Sequence, residues 1–298
     1  MKFTWHKTDT QPETVKKFLQ GYGISHRITS RLNKGEGRVI VAGKKRRLAY
    51  ELTRPVAVTL ILPPEKADPK IPANNKPLVI KYEDSNWLVI DKPAGLTSVP
   101  GPSNRTDTVV NRVKGYLQAQ GAKDLVPHVI TRLDRFTSGL VLIAKHRLAQ
   151  GLINKQVENH QIVKKYTAVV AGHMSTIHGQ IDVPLGRIAD TFRYGVDATG
   201  KPALTEYWVK KEYARATVVE ALLHTGRTHQ IRAHFTSQGH PLIGDELYGG
   251  RMDTPLQRQA LHAHYLQFVD PFTEEQHVLT SDLPMDIQRV LWYLKEER

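Results

Sequence analysis

Residues 129–145 read VITRLDRFTSGLVLIAK. Both ends of this stretch, Val129-Ile130 and Leu140-Val141-Leu142-Ile143, are short, apolar and rich in β-branched residues, which predicts two buried strands. Between them, Asp134 is flanked by Arg132 and Arg135 and followed by Thr137, Ser138 and Gly139. That composition suits a turn or bulge at a strand end, where a scaffold presents reactive groups. An aspartate held there needs a cation, because burial alone can raise a carboxylate pKa by roughly 3–5 units and leave it neutral near pH 7. Arginine stays protonated and can hold it ionised. Taken alone, the fragment is better explained by a surface ion pair at a strand end.

The pattern extends outward on both sides. Leu88-Val89-Ile90 reads as a strand running into the turn Asp91-Lys92-Pro93-Ala94-Gly95. Val109, Val113 and Leu117 mark one face of a helix after Asp107, and Leu148, Leu152, Ile153 and Val157 mark another. The segment around Tyr166 alternates basic, aromatic and apolar residues as a strand does. Strands outnumber helices, and several follow one another without a helical crossover. The expected fold is therefore α+β, with a mixed, mainly antiparallel central sheet and flanking helices.

The first quarter reads as a separate, small α/β module spanning residues 1–62. Val15, Phe18, Leu19 and Tyr22 share one helical face, ended by Gly21 and Gly23, and Ser25 is placed to cap a second helix carrying Ile28 and Leu32. Val39 to Val41 and the alternation Val56, Val58, Leu60, Leu62 read as strands, with the basic run Lys44-Lys45-Arg46-Arg47 between them. Residues 63–77, PPEKADPKIPANNKP, contain too many prolines for regular structure and read as a semi-extended linker that lets the small module move. Residues 78–298 form the larger domain.

Charge is unevenly spread. The chain of 298 residues carries a formal net charge of +13, and residues 1–70 hold 15 Lys/Arg against 6 Asp/Glu. A basic balance concentrated in one module points to a polyanionic partner. No cysteine is present, which excludes disulfides, a thiolate nucleophile and Cys-ligated zinc. The N-terminus lacks the apolar core of a signal peptide and no apolar run approaches a membrane span, so no membrane partner and a cytoplasmic location are expected.

The decameric stretch TRLDRFTSGL, residues 131–140, resembles the catalytic motif HRLDxxTSGL of the RluA/RluD-type pseudouridine synthases, with Thr131 standing where histidine is usual. IDKPAGL at 90–96, KKYTAVVAG at 164–172, HTGRTHQIRAHF at 224–235 and GHPLIGDELYGG at 239–250 agree with that family in the same order. The resemblance implies an RNA-uridine isomerase in which Asp134 is the catalytic carboxylate. It also implies that Tyr166 stacks on the target base and that Arg232 pairs with the aspartate. Arg132 would contact RNA near the flipped base, packing against Asp134 being its competing role. Ile231 would line the base pocket, and His229 and Gln230 would hold the active-site loop beside the substrate. The N-terminal module resembles the RNA-binding domain named after ribosomal small-subunit protein four, which implies that Arg27, Arg31, Lys34, Lys44, Lys45, Arg46 and Arg47 contact RNA phosphates.

Isomerisation within one pocket requires no redox cofactor, nucleotide or metal. The spacings of His229, His234, His240, His262 and His264 match no zinc pattern, and the glycine-rich GHPLIGDELYGG lacks a phosphate-loop arrangement. The expected partner is structured RNA, with large-subunit ribosomal RNA favoured over transfer RNA, and nothing demands more than a monomer. A non-catalytic RNA-binding assembly factor on the same fold is the alternative, and Thr131 is the residue that speaks for it.

Overall fold

The strand Ser138–Ala144, which follows Asp134 at once, is buried at every residue. Its alternation explains why. Val141 and Ile143 enter one apolar cluster, whereas Leu140, Leu142 and Ala144 enter another on the opposite face. A strand covered on both sides must read as a continuous apolar run, as this one does.

In the computed structural model, which describes residues 1–102 and 104–297, this strand lies within a ten-stranded sheet. The order across it is His178–Asp182, Leu204–Tyr213, Ala216–Leu223, Val163–Ala171, Leu261–Val269, Ser138–Ala144, Trp87–Lys92 and Val79–Glu83. Gln276–Thr280 pairs with Leu261–Val269, and His128–Val129 pairs with Ser138–Ala144. Ser138–Ala144 and Leu261–Val269 run parallel, meeting at Ser138/His262 and Gly139/Ala263, while the sheet's other pairings are antiparallel. The fold is thus α+β on a mixed, mainly antiparallel sheet. Gly139 has φ +114°, and a Cβ there would strike the backbone of Ala263, so glycine is what lets the Asp134 turn approach the neighbouring strand.

Helices cover both faces. Val109–Ala119 and Gln230–Ser237 supply Val109, Val113, Leu117, Ile231 and Phe235 to one cluster. Arg147–Glu158 places Ala149 and Ile153 on the other face, and Met285–Glu296 covers the far end with Ile287, Val290 and Leu294.

At the N-terminus, four strands pair in the order Lys2–Lys7, Val56–Ile61, Arg38–Val41, Lys44–Arg46, beside the helices Val15–Gly21 and His26–Asn33. Thr14 caps the first helix by accepting from Lys17 N at 3.2 Å. Ser25 occupies the N-cap of the second with extended backbone, but its side chain makes no capping bond. The core of this part borrows Leu148 and Leu152 from the helix Arg147–Glu158, whose adjacent face packs on the central sheet.

Residues 63–77 contain no helix or strand, and they run against the larger domain with several specific contacts. Glu65 is buried against His128 and Arg147. Asn111 Nδ2 donates to Pro72 O at 2.8 Å, Asn74 N donates to Asn111 O at 3.0 Å, and Lys114 Nζ donates to Ile71 O at 2.5 Å. Side chains of the larger domain fasten a segment whose own composition predicts mobility.

Candidate active site

The turn carrying Asp134 is held from several directions. Thr137 N donates to Asp134 O at 3.1 Å, closing it, and Gly95 N donates to Arg135 O at 2.8 Å. Arg258 Nη1 donates to Phe136 O at 3.0 Å, and Gln259 Nε2 donates to Thr137 Oγ1 at 3.2 Å. Beneath them Lys92 is fully buried, and its Nζ donates to Leu96 O at 2.9 Å and to Pro93 O and Arg135 O at 3.1 Å each. Burial pushes the Lys92 amine down to about 7, against the pull of the Asp134 carboxylate. Three carbonyl acceptors match the three donors of an ammonium, so this lysine ties the 92–96 turn to the turn carrying Asp134.

The Asp134 side chain, 27% exposed, faces a cleft of about 850 Å³. Its cation does not come from the arginines beside it in sequence. Arg135 Nε donates to Gly95 O at 3.2 Å and its guanidinium lies 5.0 Å from the Phe136 ring, while Arg132 is exposed at the cleft rim. Arg232, in the first turn of the helix Gln230–Ser237, supplies the charge, with Nη1 3.3 Å from Asp134 Oδ2.

Arg232 is itself fixed by a second carboxylate. Its Nε and Nη2 donate to Asp245 Oδ2 and Oδ1 at 2.7 and 2.9 Å, a bidentate pair with Asp245 almost wholly buried. The ring of Tyr248 lies 4.8 Å from the guanidinium. Burial opposes the charge on Arg232, but the bonds and charge of Asp245, with Asp134, outweigh it and raise the pKa.

His229 stands on the other side of Asp134, its Nε2 3.9 Å from Oδ2, in a left-handed backbone conformation with φ 56°. Tyr248 Oη donates to Tyr194 O at 3.0 Å and accepts from Tyr194 N at 2.8 Å. Its remaining lone pair therefore accepts from His229 Nδ1, 3.1 Å away. This fixes the proton on Nδ1 and turns the Nε2 lone pair towards Asp134. Burial lowers the His229 pKa and keeps the ring neutral.

Tyr166 and Ile231 are buried and line the same cleft. Burial and the field of Asp134 push the Tyr166 phenol well above its ordinary value, so it stays protonated. Gln230 also reaches the cleft, but its amide is spent within the protein. Nε2 donates to Leu204 O and Thr205 Oγ1 at 3.0 Å each, and Oε1 accepts from Thr225 Oγ1 at 2.7 Å and Arg227 N at 2.9 Å. With its capacity filled, the Gln230 amide fastens the 225–230 loop to the strand Leu204–Tyr213. Among the described residues no group of three or more His, Asp or Glu is arranged to hold a metal ion.

Residues 86–237 match the family model described as RNA pseudouridylate synthase. The RNA pseudouridine synthase YjbO of Bacillus subtilis is 36% identical over 93% of this chain and 98% of its own length. The chain belongs to the RluA/RluD-type RNA pseudouridine synthase family. The Zymomonas mobilis protein named ribosomal large subunit pseudouridine synthase D is 36% identical over 73% of this chain and 74% of that protein. Human RNA pseudouridylate synthase domain containing 1 shares the fold at a TM-score of 0.57, with 26% identity over 71% of this chain and 85% of that one. The protein is thus an RNA pseudouridine synthase, an isomerase.

Within this synthase, Thr131 has a defined place. Its side chain is buried, and Oγ1 accepts from Leu142 N at 2.9 Å, satisfying a donor of the central strand. Asp245, Tyr248 and Lys92 were not singled out from sequence, although their motifs were. Asp245 lies within GHPLIGDELYGG, where the glycines drew the reading to turns, and only the fold shows that the turn delivers a carboxylate to Arg232. Of the basic N-terminal residues, Arg27, Lys34, Lys44, Lys45 and Arg47 are exposed. Arg31 pairs with Glu36 at 2.7 Å, and the Arg46 guanidinium lies 4.4 Å from the Tyr50 ring, so these two are partly engaged.

Proposed function

We propose that this synthase isomerises uridines of large-subunit ribosomal RNA, with Asp134 acting on the ribose. The observation that carries the catalytic part is the Asp134 carboxylate in an open cleft, held by Arg232 and faced by His229 Nε2. In the reaction the N1–C1′ bond breaks, the freed uracil turns, and a C5–C1′ bond forms. The proton lost from C5 balances the one gained at N1. Asp134 serves as nucleophile at C1′ or as base at the neighbouring ribose carbon, and either role needs the ionised form that Arg232 favours.

A uridine within a helix cannot reach such a cleft, so the target is unpaired or flipped out, at a cost of a few kcal/mol. Tyr166 and Ile231 supply the apolar wall for the base, and Arg132 at the rim meets the strand that carries it. The N-terminal module serves as an RNA-binding domain like that of ribosomal small-subunit protein four. Its exposed Arg27, Lys34, Lys44, Lys45 and Arg47 grip phosphates and give affinity more than sequence choice. The ribosomal substrate is inferred from relatives named for the large subunit and from this basic module.

Pseudouridine mapping on large-subunit ribosomal RNA and transfer RNA transcripts, treated separately with the purified protein, tests the substrate. New pseudouridine in the ribosomal transcript is expected. Modification confined to transfer RNA would overturn the ribosomal assignment while leaving the chemistry intact.

A further inference from the structure

Two adjacent lysines on the strand Val163–Ala171 meet opposite fates. Lys165 is compensated, 3.6 Å from Glu220 and 5.4 Å from the centre of the Tyr265 ring. Lys164 turns to the other face, the one shared with Tyr166, and lines the catalytic cleft. There it has no ion-pair partner among the described residues. Its Nζ runs beneath Gly226, where a Cβ would lie only 3.7 Å away. Burial lowers its pKa with no carboxylate to offset the cost.

Lys164 is half-buried on the cleft wall, and a partly desolvated cation without a counter-ion is a ready site for an anion brought by the substrate. A uracil carbonyl is neutral and compensates poorly, whereas every nucleotide brings one negative phosphodiester. Lys164 and Asp134 line the same cleft, so a strand whose ribose meets Asp134 runs past the lysine. Arg132 stands exposed on the same cleft, carried by the catalytic turn.

We propose that Lys164 is a phosphate-binding residue that grips the RNA backbone beside the flipped uridine, in the cleft that Arg132 also lines. This rests on the reading that an RNA strand enters the cleft. It makes Lys164 a determinant of substrate affinity that needs no base identity.

The test compares wild type, Lys164→Met and Lys164→Arg for binding to a large-subunit ribosomal RNA transcript across a salt series. Each protein is also melted without RNA. Loss of one phosphate contact lowers the slope of log K against log salt by about 0.7–0.9. Lys164→Met is expected to show that drop and a raised KM with kcat little changed, and Lys164→Arg to restore both. Without RNA, Lys164→Met is expected to melt at or above the wild-type temperature, because an uncompensated charge has been removed. A wild-type salt slope in Lys164→Met, or a lowered melting temperature, would overturn the proposal. Failure of the wild-type protein to modify any RNA would instead count against the substrate reading, since the slopes decide Lys164 independently.

Discussion

Arg232 holds two carboxylates at once, gripping Asp245 with Nε and Nη2 while Nη1 lies 3.3 Å from Asp134 Oδ2. The bidentate bond to a buried partner fixes the plane of the guanidinium, and the third nitrogen is thereby aimed at the cleft. Asp134 is thus oriented by a residue it does not touch.

Asp245→Asn should therefore damage both stability and activity. Removing one partner of a buried ion pair costs about 3–5 kcal/mol, because the surviving charge stays enclosed. Urea unfolding would show that loss, and the folded fraction should modify RNA more slowly through a misaimed Arg232. Arg232→Lys should behave similarly, since one ammonium cannot serve three oxygens in this geometry.

Thr131 departs from the family pattern yet gives the central strand a hydrogen bond. Thr131→Val should orphan Leu142 N–H and cost about 1–3 kcal/mol in urea unfolding. Thr131→Ser should keep the bond and most of the stability. Equal stabilities for the valine and serine variants would show that the hydroxyl contributes nothing.

His146 gives a pH dependence with a definite sign. It is buried, caps the helix Arg147–Glu158 by accepting from Ala149 N at 3.2 Å, and approaches Asn86 Oδ1 at 3.1 Å through Nε2. The capping role needs the neutral ring, because Nδ1 must be unprotonated to accept from Ala149 N, while Nε2–H donates to Asn86 Oδ1. Burial lowers its pKa from 6.5 to about 4, so as pH falls the unfolded chain takes up this proton first. The stability tied to neutral His146 is complete above pH 6.5 and is lost between 6.5 and about 4, amounting to roughly 3 kcal/mol. His146→Asn can still cap and does not titrate. Its stability should fall less than that of wild type across this window, and parallel curves would refute the assignment.

The sequence made the central elements legible where one physical signal dominated. The run Leu140–Ile143 is buried on both faces, so composition alone marks it, and the helices at Val109 and Leu148 show their apolar stripes plainly. The strand Lys2–Lys7 went unread although Phe3 and Trp5 alternate with polar residues, because only its pairing with Val56–Ile61 gives that alternation a buried side. The site divides the same way. Asp134 stands out through its motif, but the Arg232–Asp245 grip joins residues 13 apart through a helix and a tight turn. The fastening of residues 63–77 was hidden for a similar reason, since its partners Asn111 and Lys114 look like ordinary helix residues.

The central claim is that Asp134 performs uridine isomerisation, and removing its carboxylate should cut turnover by roughly three orders of magnitude. The most direct test is a pseudouridine map of ribosomal and transfer RNA from cells lacking this protein, rescued with wild type or Asp134→Ala. A ribosomal site that disappears, returns with wild type and stays absent with Asp134→Ala, with RNA binding retained, is the expected result. Restoration of that site by Asp134→Ala would contradict the account.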